Sequence, residues 1–263
     1  LCNFICSLRP DEEKLAFSVI FNLDEEANVK AYRIVHTVIK SNRRYAYEEV
    51  QELLEQNGVV DGTGEPAPAA PKGGYKGENA DLLIQLDRLA KKLREQRFKN
   101  GAVKFDREEL RFDIDEKGHP TRCYFKRSKD ANKLIEEFML LANRTVAESV
   151  GKVKKGKTAK TLPYRIHDNP DPTKLETLRE FVVKFGYKMK TDGTKGALAK
   201  SLNTLMSACE GKREQNLIQT VALRAMMKAK YSIHNIGHFG LAFDYYTHFT
   251  SPIRRYPDTM VHR

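Results

Sequence analysis

Near the end of the chain runs His248-Phe249-Thr250-Ser251-Pro252-Ile253-Arg254-Arg255-Tyr256-Pro257-Asp258. Adjacent arginines follow a Thr-Ser-Pro turn, so guanidinium groups and small hydroxyls come from one short stretch, with His248 opening it. A guanidinium fork matches phosphate oxygens two at a time, and a hydroxyl can donate to the same anion. The chemistry this predicts is a phosphate grip made of Arg254 and Arg255, with Thr250 and Ser251 beside them.

A second arrangement lies upstream. Glu136 and Asn143 are seven residues apart, hence about 20° apart around an ideal helix. A carboxylate and an amide on one stripe either present acceptors and donors into a cleft or simply face solvent, and the pattern alone favours solvent. Four histidines, His234, His238, His248 and His262, crowd the C-terminal end. His234 and His238 have helical metal-ligand spacing, but Gly237 and the Asn235-Ile236 pair argue against a helix there, so zinc is disfavoured. The cysteines at 2, 6, 123 and 209 lack the spacing of a zinc knuckle or redox pair, and read as free thiols in a reducing cytoplasm.

The balance of charge is +11 over 263 residues, which favours a polyanionic partner. Lys152, Lys154, Lys155, Lys157 and Lys160 stand in an acid-free stretch, and Lys91, Lys92, Arg94, Arg97, Lys99 and Lys104 form a second cluster. Either cluster serves equally well as a solvated face. No run of about 18 apolar residues is present, so a membrane span is not expected. The chain opens on Leu1 rather than Met and closes at Arg263 inside a motif-rich stretch, which predicts a piece of a longer protein.

The elements that must position these residues follow from periodicity. Residues 15–23 and 31–39 read as paired strands, 47–56 as a helix and 58–77, rich in Gly, Pro and Ala, as a flexible loop. Residues 78–97 have the leucine spacing of a long amphipathic helix, and 132–150 form the strongest helical pattern. Short strands are predicted at 103–105, 110–114, 121–125 and 164–166, and helices at 172–185, 195–209 and 215–230. Strands first and helices later, without βαβ alternation, predict an α+β fold with a mixed, largely antiparallel sheet flanked by helices.

The stretch from His248 to Asp258 closely resembles the HFTSPIRRYPD signature of the exoribonuclease II/R family, whose catalytic module is the RNB domain. Cys6-Ser7-Leu8-Arg9-Pro10, ANKLIEEFMLLAN around Glu136, Tyr164-Arg165-Ile166-His167-Asp168 and the GHFGLA run from Gly237 match further family segments in order. The resemblance thus runs nearly end to end, closer to the ribonuclease R branch than to ribonuclease II. It implies one incomplete RNB-type catalytic domain over 1–263. It implies that Arg254 meets the scissile phosphate and that Arg255 is an accessory or structural arginine. Tyr47 and Glu136 would hold a ribose 2′-hydroxyl, which both donates and accepts, and would so tell RNA from DNA; Tyr45 is the nearby competitor of Tyr47. Phe105 would stack on a base, or pack in a core. Arg165 and His167 are either phosphate contacts or a buried structural pair.

The same resemblance implies a Mg²⁺-dependent, cytoplasmic, processive 3′→5′ exoribonuclease that takes single-stranded RNA to nucleoside 5′-monophosphates, with flanking OB-fold RNA-binding domains and no membrane association. The family's metal-binding aspartates precede the CSLRP-like segment, so they would precede Leu1, and these residues alone would be inactive. A non-catalytic RNA-binding relative that keeps the scaffold is the alternative. A generic DNA-binding domain is disfavoured, since no DNA-reading motif is present.

Overall fold

The computed structural model describes residues 2–59, 73–104, 109–126, 128–153, 156–158 and 160–263. The fold is α+β, as expected: helices accompany three antiparallel two-stranded sheets among the described residues. The chain divides into two compact units. The first comprises Leu1–Arg44, Leu93–Lys104 and Phe138–Arg263, and the second Tyr45–Lys92 and Phe105–Glu137.

In the first unit, β1 (Glu13–Leu23) pairs with β2 (Val29–Lys40). The reversal between them is held by Asp24, whose carboxylate accepts from the N–H groups of Glu26 and Asn28 at 3.0 and 2.8 Å. Strand alternation puts Leu15, Phe17, Val19 and Phe21 on one face, opposite Val38, His36, Ile34 and Tyr32. The short strand β5 (Tyr164–Ile166) pairs with β6 (Lys230–Ser232) and belongs to a core with Ala147 and Leu162.

Between β5 and β6 three helices follow in that unit. The helix α4 (Pro172–Val183) is started by Asp171, whose side chain accepts from the N–H groups of Thr173 and Lys174, with Pro172 in the first turn where its missing N–H costs nothing. Thr194 caps α5 (Lys195–Cys209) in the same way. The buried stripe Ile218, Ala222, Ala225 sets the inner face of α6 (Gln215–Ala225).

In the second unit, α1 (Tyr47–Gln56) and the start of α2 (Ala80–Lys99) share a small core of Leu54, Val59 and Ile84. A hairpin of β3 (Glu109–Ile114) and β4 (Pro120–Lys126) follows, turning at Gly118. The helix α3 (Asp130–Gly151) begins in this unit and supplies residues to both.

Several expectations need correction. Residues 102–104 form no strand: the Val103 N–H donates to the Gly240 carbonyl and the Lys104 N–H to the Asn203 side chain. The helix expected over 215–230 stops at Ala225, because Lys230 is claimed by pairing with Ile166. Three elements were not anticipated: β6 itself, too short to show a period, the 3-10 helix Phe239–Leu241, and the helix α7 (Tyr256–His262) inside the arginine signature. Of the loop expected over 58–77, residues 60–72 lie outside the described residues, as does Phe105. The basic cluster from Lys91 to Lys104 is largely paired. Lys91 lies between Asp87 and Asp130 at 2.8 and 3.3 Å, Lys99 meets Glu95, and Lys104 meets Glu210. It is not a bare cationic face. In the other cluster Lys152 meets Glu148, and Lys154 and Lys155 lie outside the described residues.

Candidate functional site: an arginine turn on buried supports

The signature stretch is anchored at both ends. Upstream, the Arg165 N–H donates to the Tyr246 carbonyl at 2.9 Å and the Thr247 hydroxyl to the Pro163 carbonyl at 2.7 Å, so the segment lies against β5. Phe249 then enters an aromatic cluster with Phe17 and His262, ring centroids 5.3 and 4.5 Å away. His262, at the end of α7, also bonds the Phe249 carbonyl at 2.8 Å.

Beyond Phe249 the backbone turns sharply. The Ser251 carbonyl accepts from the N–H groups of both Arg254 and Arg255, at 3.3 and 3.1 Å, and the Thr259 hydroxyl donates to the Pro252 carbonyl. Asp258, one turn into α7, has no exposed surface. Its Oδ1 accepts from the Ser251 N–H at 2.7 Å and from the Arg255 guanidinium at 2.7 Å.

The two arginines therefore differ. Arg255 is tied down by a buried carboxylate, whereas Arg254 is exposed and directs its Nη2 at the Ser251 hydroxyl, 3.4 Å away. Of the two hydroxyls that sequence placed beside the arginines, Ser251's stands there, whereas the Thr250 Oγ1 is buried without a hydrogen-bond partner among the described residues.

Around His248 the charge is cationic. Burial pushes its imidazole down to about 4, with Arg255, Arg165 and Arg254 adding to the depression and Asp258 opposing it. Those arginines thus act on one point, and the ring is neutral near pH 7. The Tyr231 hydroxyl meets His248 Nδ1 at 2.6 Å; a tyrosine donating there leaves the ring proton on Nε2. Arg165 lies over the Tyr231 ring, 4.9 Å from its centroid. His248 thus sits in the combined field of Arg255, Arg165 and Arg254.

His167 is different. Its Nδ1 accepts from the Gly240 N–H at 3.0 Å, and its Nε2 meets the Met227 carbonyl at 2.7 Å. Both nitrogens are engaged by the backbone, and burial lowers its pKa. Neighbouring His238 is pushed down to about 3 by burial and by His167, and its Nδ1 accepts from the Leu241 N–H. These two rings pin the GHFGLA loop. A cleft of about 550 Å³ opens beside that loop, lined in part by Lys195, His238 and Tyr245 but by none of Arg165, His248 and Arg254.

In the second unit, Tyr47 and Glu136 are both exposed. Tyr45 is committed elsewhere: its hydroxyl donates to the Glu78 carbonyl and accepts from Asn79 at 2.7 Å. Tyr47 opens α1. The buried Gln51 side chain accepts from the Ala131 N–H at 3.0 Å, which joins α1 to the first turn of α3. Tyr47 stands about 6 Å before Gln51 along its helix, and Glu136 about 7.5 Å beyond Ala131 along its own.

Sequence reasoning missed Asp258, Tyr231 and Tyr246 as supports. Asp258 carried a signal, three residues after Arg255 with Pro257 between, the pattern of a helix start. Tyr231 carried none, because only the pairing of β5 with β6 brings it to Arg165.

Among the described residues no group of three or more His, Cys, Asp or Glu side chains is placed to hold a metal ion. These residues do not fit a resident Mg²⁺.

The whole chain, residues 1–263, matches the RNB domain. The protein belongs to the RNB family. It is 40% identical over 262 residues to ribonuclease R of Aquifex aeolicus, covering 98% of this chain and 34% of that protein. It is 35% identical over 272 residues to DIS3-like exonuclease 2 of Schizosaccharomyces pombe, covering 100% of this chain and 28% of that protein. The chain thus spans about a third of the length of such relatives. Among solved structures, it superposes with a TM-score of 0.81 at 25% identity on Mycoplasma genitalium RNase R in complex with ribose-methylated single-stranded RNA, covering 99% of this chain and 38% of that one. Yeast Ssd1, described as a pseudonuclease, shares the fold, with a TM-score of 0.68 at 21% identity over 98% of this chain and 29% of that one. No helix among the described residues is long and apolar enough to cross a membrane.

Proposed function

We propose that the protein carrying these residues is a processive 3′→5′ exoribonuclease that hydrolyses single-stranded RNA to nucleoside 5′-monophosphates in the cytoplasm, and that 1–263 form part of its single catalytic domain. The observation that carries this reading is the asymmetry of the arginine pair: Arg255 is spent on Asp258 while Arg254 stays exposed near Arg165 and neutral His248. A fixed guanidinium stabilises the charge that redistributes over phosphoryl oxygens during attack, and does so more strongly than it binds the ground state.

In this reading Arg254 is the catalytic residue. His248 and Ser251 donate to the same phosphate or its neighbour, Arg165 holds an adjacent phosphate, and Arg255, Thr250 and His167 shape the turn and its support. Tyr47 and Glu136 grip the ribose, and Phe105 stacks on a base. Mg²⁺, held by carboxylates from outside the described residues, would supply the nucleophilic water; OB-fold domains elsewhere in the protein would feed the strand. These residues alone bind RNA without cleaving it.

The test incubates the intact protein and the 263-residue chain with 5′-labelled single-stranded RNA and Mg²⁺, beside DNA and EDTA lanes, and resolves products on a denaturing gel. EDTA-sensitive shortening of RNA by the intact protein, with DNA spared, is expected; the isolated chain should leave RNA whole. An intact protein that binds RNA but never shortens it overturns the enzymatic reading in favour of a non-catalytic RNA-binding relative.

A further inference from the structure

We propose that Asn143 is a positioning residue for Arg254, acting through the backbone of the turn that carries it. The idea rests on the functional reading above for its consequence, though not for its geometry. Sequence placed Asn143 on one stripe with Glu136, facing solvent or a cleft; instead it is 1% exposed. Its Oδ1 accepts from the N–H groups of Phe249 and Thr250, at 2.9 and 3.3 Å. Its Nδ2 donates to the Tyr246 hydroxyl at 3.3 Å.

The side-chain type is close to dictated. Two converging N–H groups need an oxygen with two lone pairs, and a buried tyrosine hydroxyl on the other side can take a donor. An uncharged amide supplies both without bringing a charge into the interior. Serine offers the lone pairs on too short an arm, and leucine would leave two buried N–H groups unpaired.

The Ser251 N–H, next in line, goes to Asp258. Three consecutive amides are thus held by side chains of α3 and α7, and the Ser251 carbonyl then takes the N–H groups of Arg254 and Arg255. The N–H groups of Phe249, Thr250, Ser251, Arg254 and Arg255 are all engaged, which restrains the backbone of the turn that carries Arg254. The Tyr246 contact ties the same amide to the residue whose carbonyl holds the Arg165 N–H. One buried side chain therefore contacts both the turn that carries Arg254 and the residue that pairs with the Arg165 backbone. A guanidinium that must meet a transition state gains from such fixation, because misplacement of about 1 Å can cost on the order of a hundredfold in rate.

The test is a double-mutant cycle in the intact protein, with Asn143→Ala, Arg254→Ala and the pair, reading the single-turnover rate on single-stranded RNA beside hydrogen exchange of the segment holding Phe249 and Thr250. N143A should slow cleavage about tenfold or more, yet add little once Arg254 is gone. Exchange at Phe249 and Thr250 should quicken. Asn143→Asp, which keeps an acceptor for both N–H groups and can accept a hydrogen bond from the Tyr246 hydroxyl, should recover part of the rate but not all of it, because it brings a charge into the interior. Multiplying losses in the cycle, or unchanged exchange, overturn the proposal. If N143A does not fold, Tyr246→Phe carries the same cycle, since it removes only the Nδ2 partner. If the unaltered protein cleaves nothing, the functional reading has failed, and the cycle read on RNA affinity still decides whether Asn143 acts through Arg254.

Discussion

The Arg255 guanidinium donates to Asp258 Oδ1 across 2.7 Å, and Asp258 has no exposed surface at all. Removing one partner of a buried pair strands the other charge, at a cost of about 3 kcal/mol or more. Arg255→Ala should therefore lower stability by that order in chemical denaturation. Arg254→Ala, at an exposed guanidinium with no acidic partner among the described residues, should leave stability within about 0.5 kcal/mol while slowing RNA cleavage on the order of a hundredfold. Equal stability losses in the two variants would contradict the division of labour between neighbouring arginines.

The ribose grip makes a separate claim. Tyr47→Phe and Glu136→Gln remove a hydroxyl and a charge from exposed positions, so folding should be untouched. Affinity for RNA should fall toward that for DNA of the same sequence, by about tenfold for a lost charge-assisted bond. Paired titrations of RNA and DNA against each variant check this; an undiminished RNA preference in both would refute it.

Acidity should loosen the first unit. In the unfolded chain each imidazole titrates near 6.5, whereas His248 is pushed down to about 4 and His238 to about 3. Burial is the first cause in both. The facing charges are Arg255, Arg165 and Arg254, opposed by Asp258, for His248, and His167, Arg165 and His248 for His238. Between 6.5 and about 4 the unfolded chain binds protons that the folded chain does not. Stability therefore rises with pH through this window and is lost as pH falls. Urea midpoints compared across it should show that slope, and His238→Asn, which keeps an acceptor for the Leu241 N–H, should flatten it.

Gly151, the last residue of α3, tests packing against helix propensity. Its φ is not in the left-handed region, so alanine meets no backbone conflict and would gain about 1 kcal/mol as a helix former. A Cβ there, however, would lie 2.6 Å from the Tyr164 hydroxyl and 2.6 Å from the Tyr245 ring. Overpacking of this kind costs about 1–3 kcal/mol, and Tyr164 is buried, so the steric cost should win. A lowered thermal midpoint for Gly151→Ala is expected, and a raised one would show that both tyrosines yield freely.

Much of this was legible in the residues themselves. The helices α1 to α6 declare their periods or caps, and alternation in β1 and β2 gives the hairpin its two faces. The arginine signature could be read as an expected phosphate grip, because guanidinium geometry belongs to the side chain, wherever it sits. Which arginine stays open was not legible. That depends on α7, a helix of about two turns whose Asp258 reaches back to Arg255 and to the Ser251 N–H.

The sequence by itself determined most of the element types, the excess of positive charge and the family, because these rest on local propensity, side-chain chemistry and motif. Only the tertiary structure decided the partners. Asn143 left the solvent-facing stripe because the Phe249–Thr250 backbone, more than a hundred residues away, needed an acceptor in the interior. His167 is saturated because the GHFGLA loop folds onto it. Tyr231 reaches His248 and Arg165 only because β6 pairs with β5. Local pattern carries no record of such distant pairings, since burial and hydrogen-bond satisfaction are properties of the packed chain.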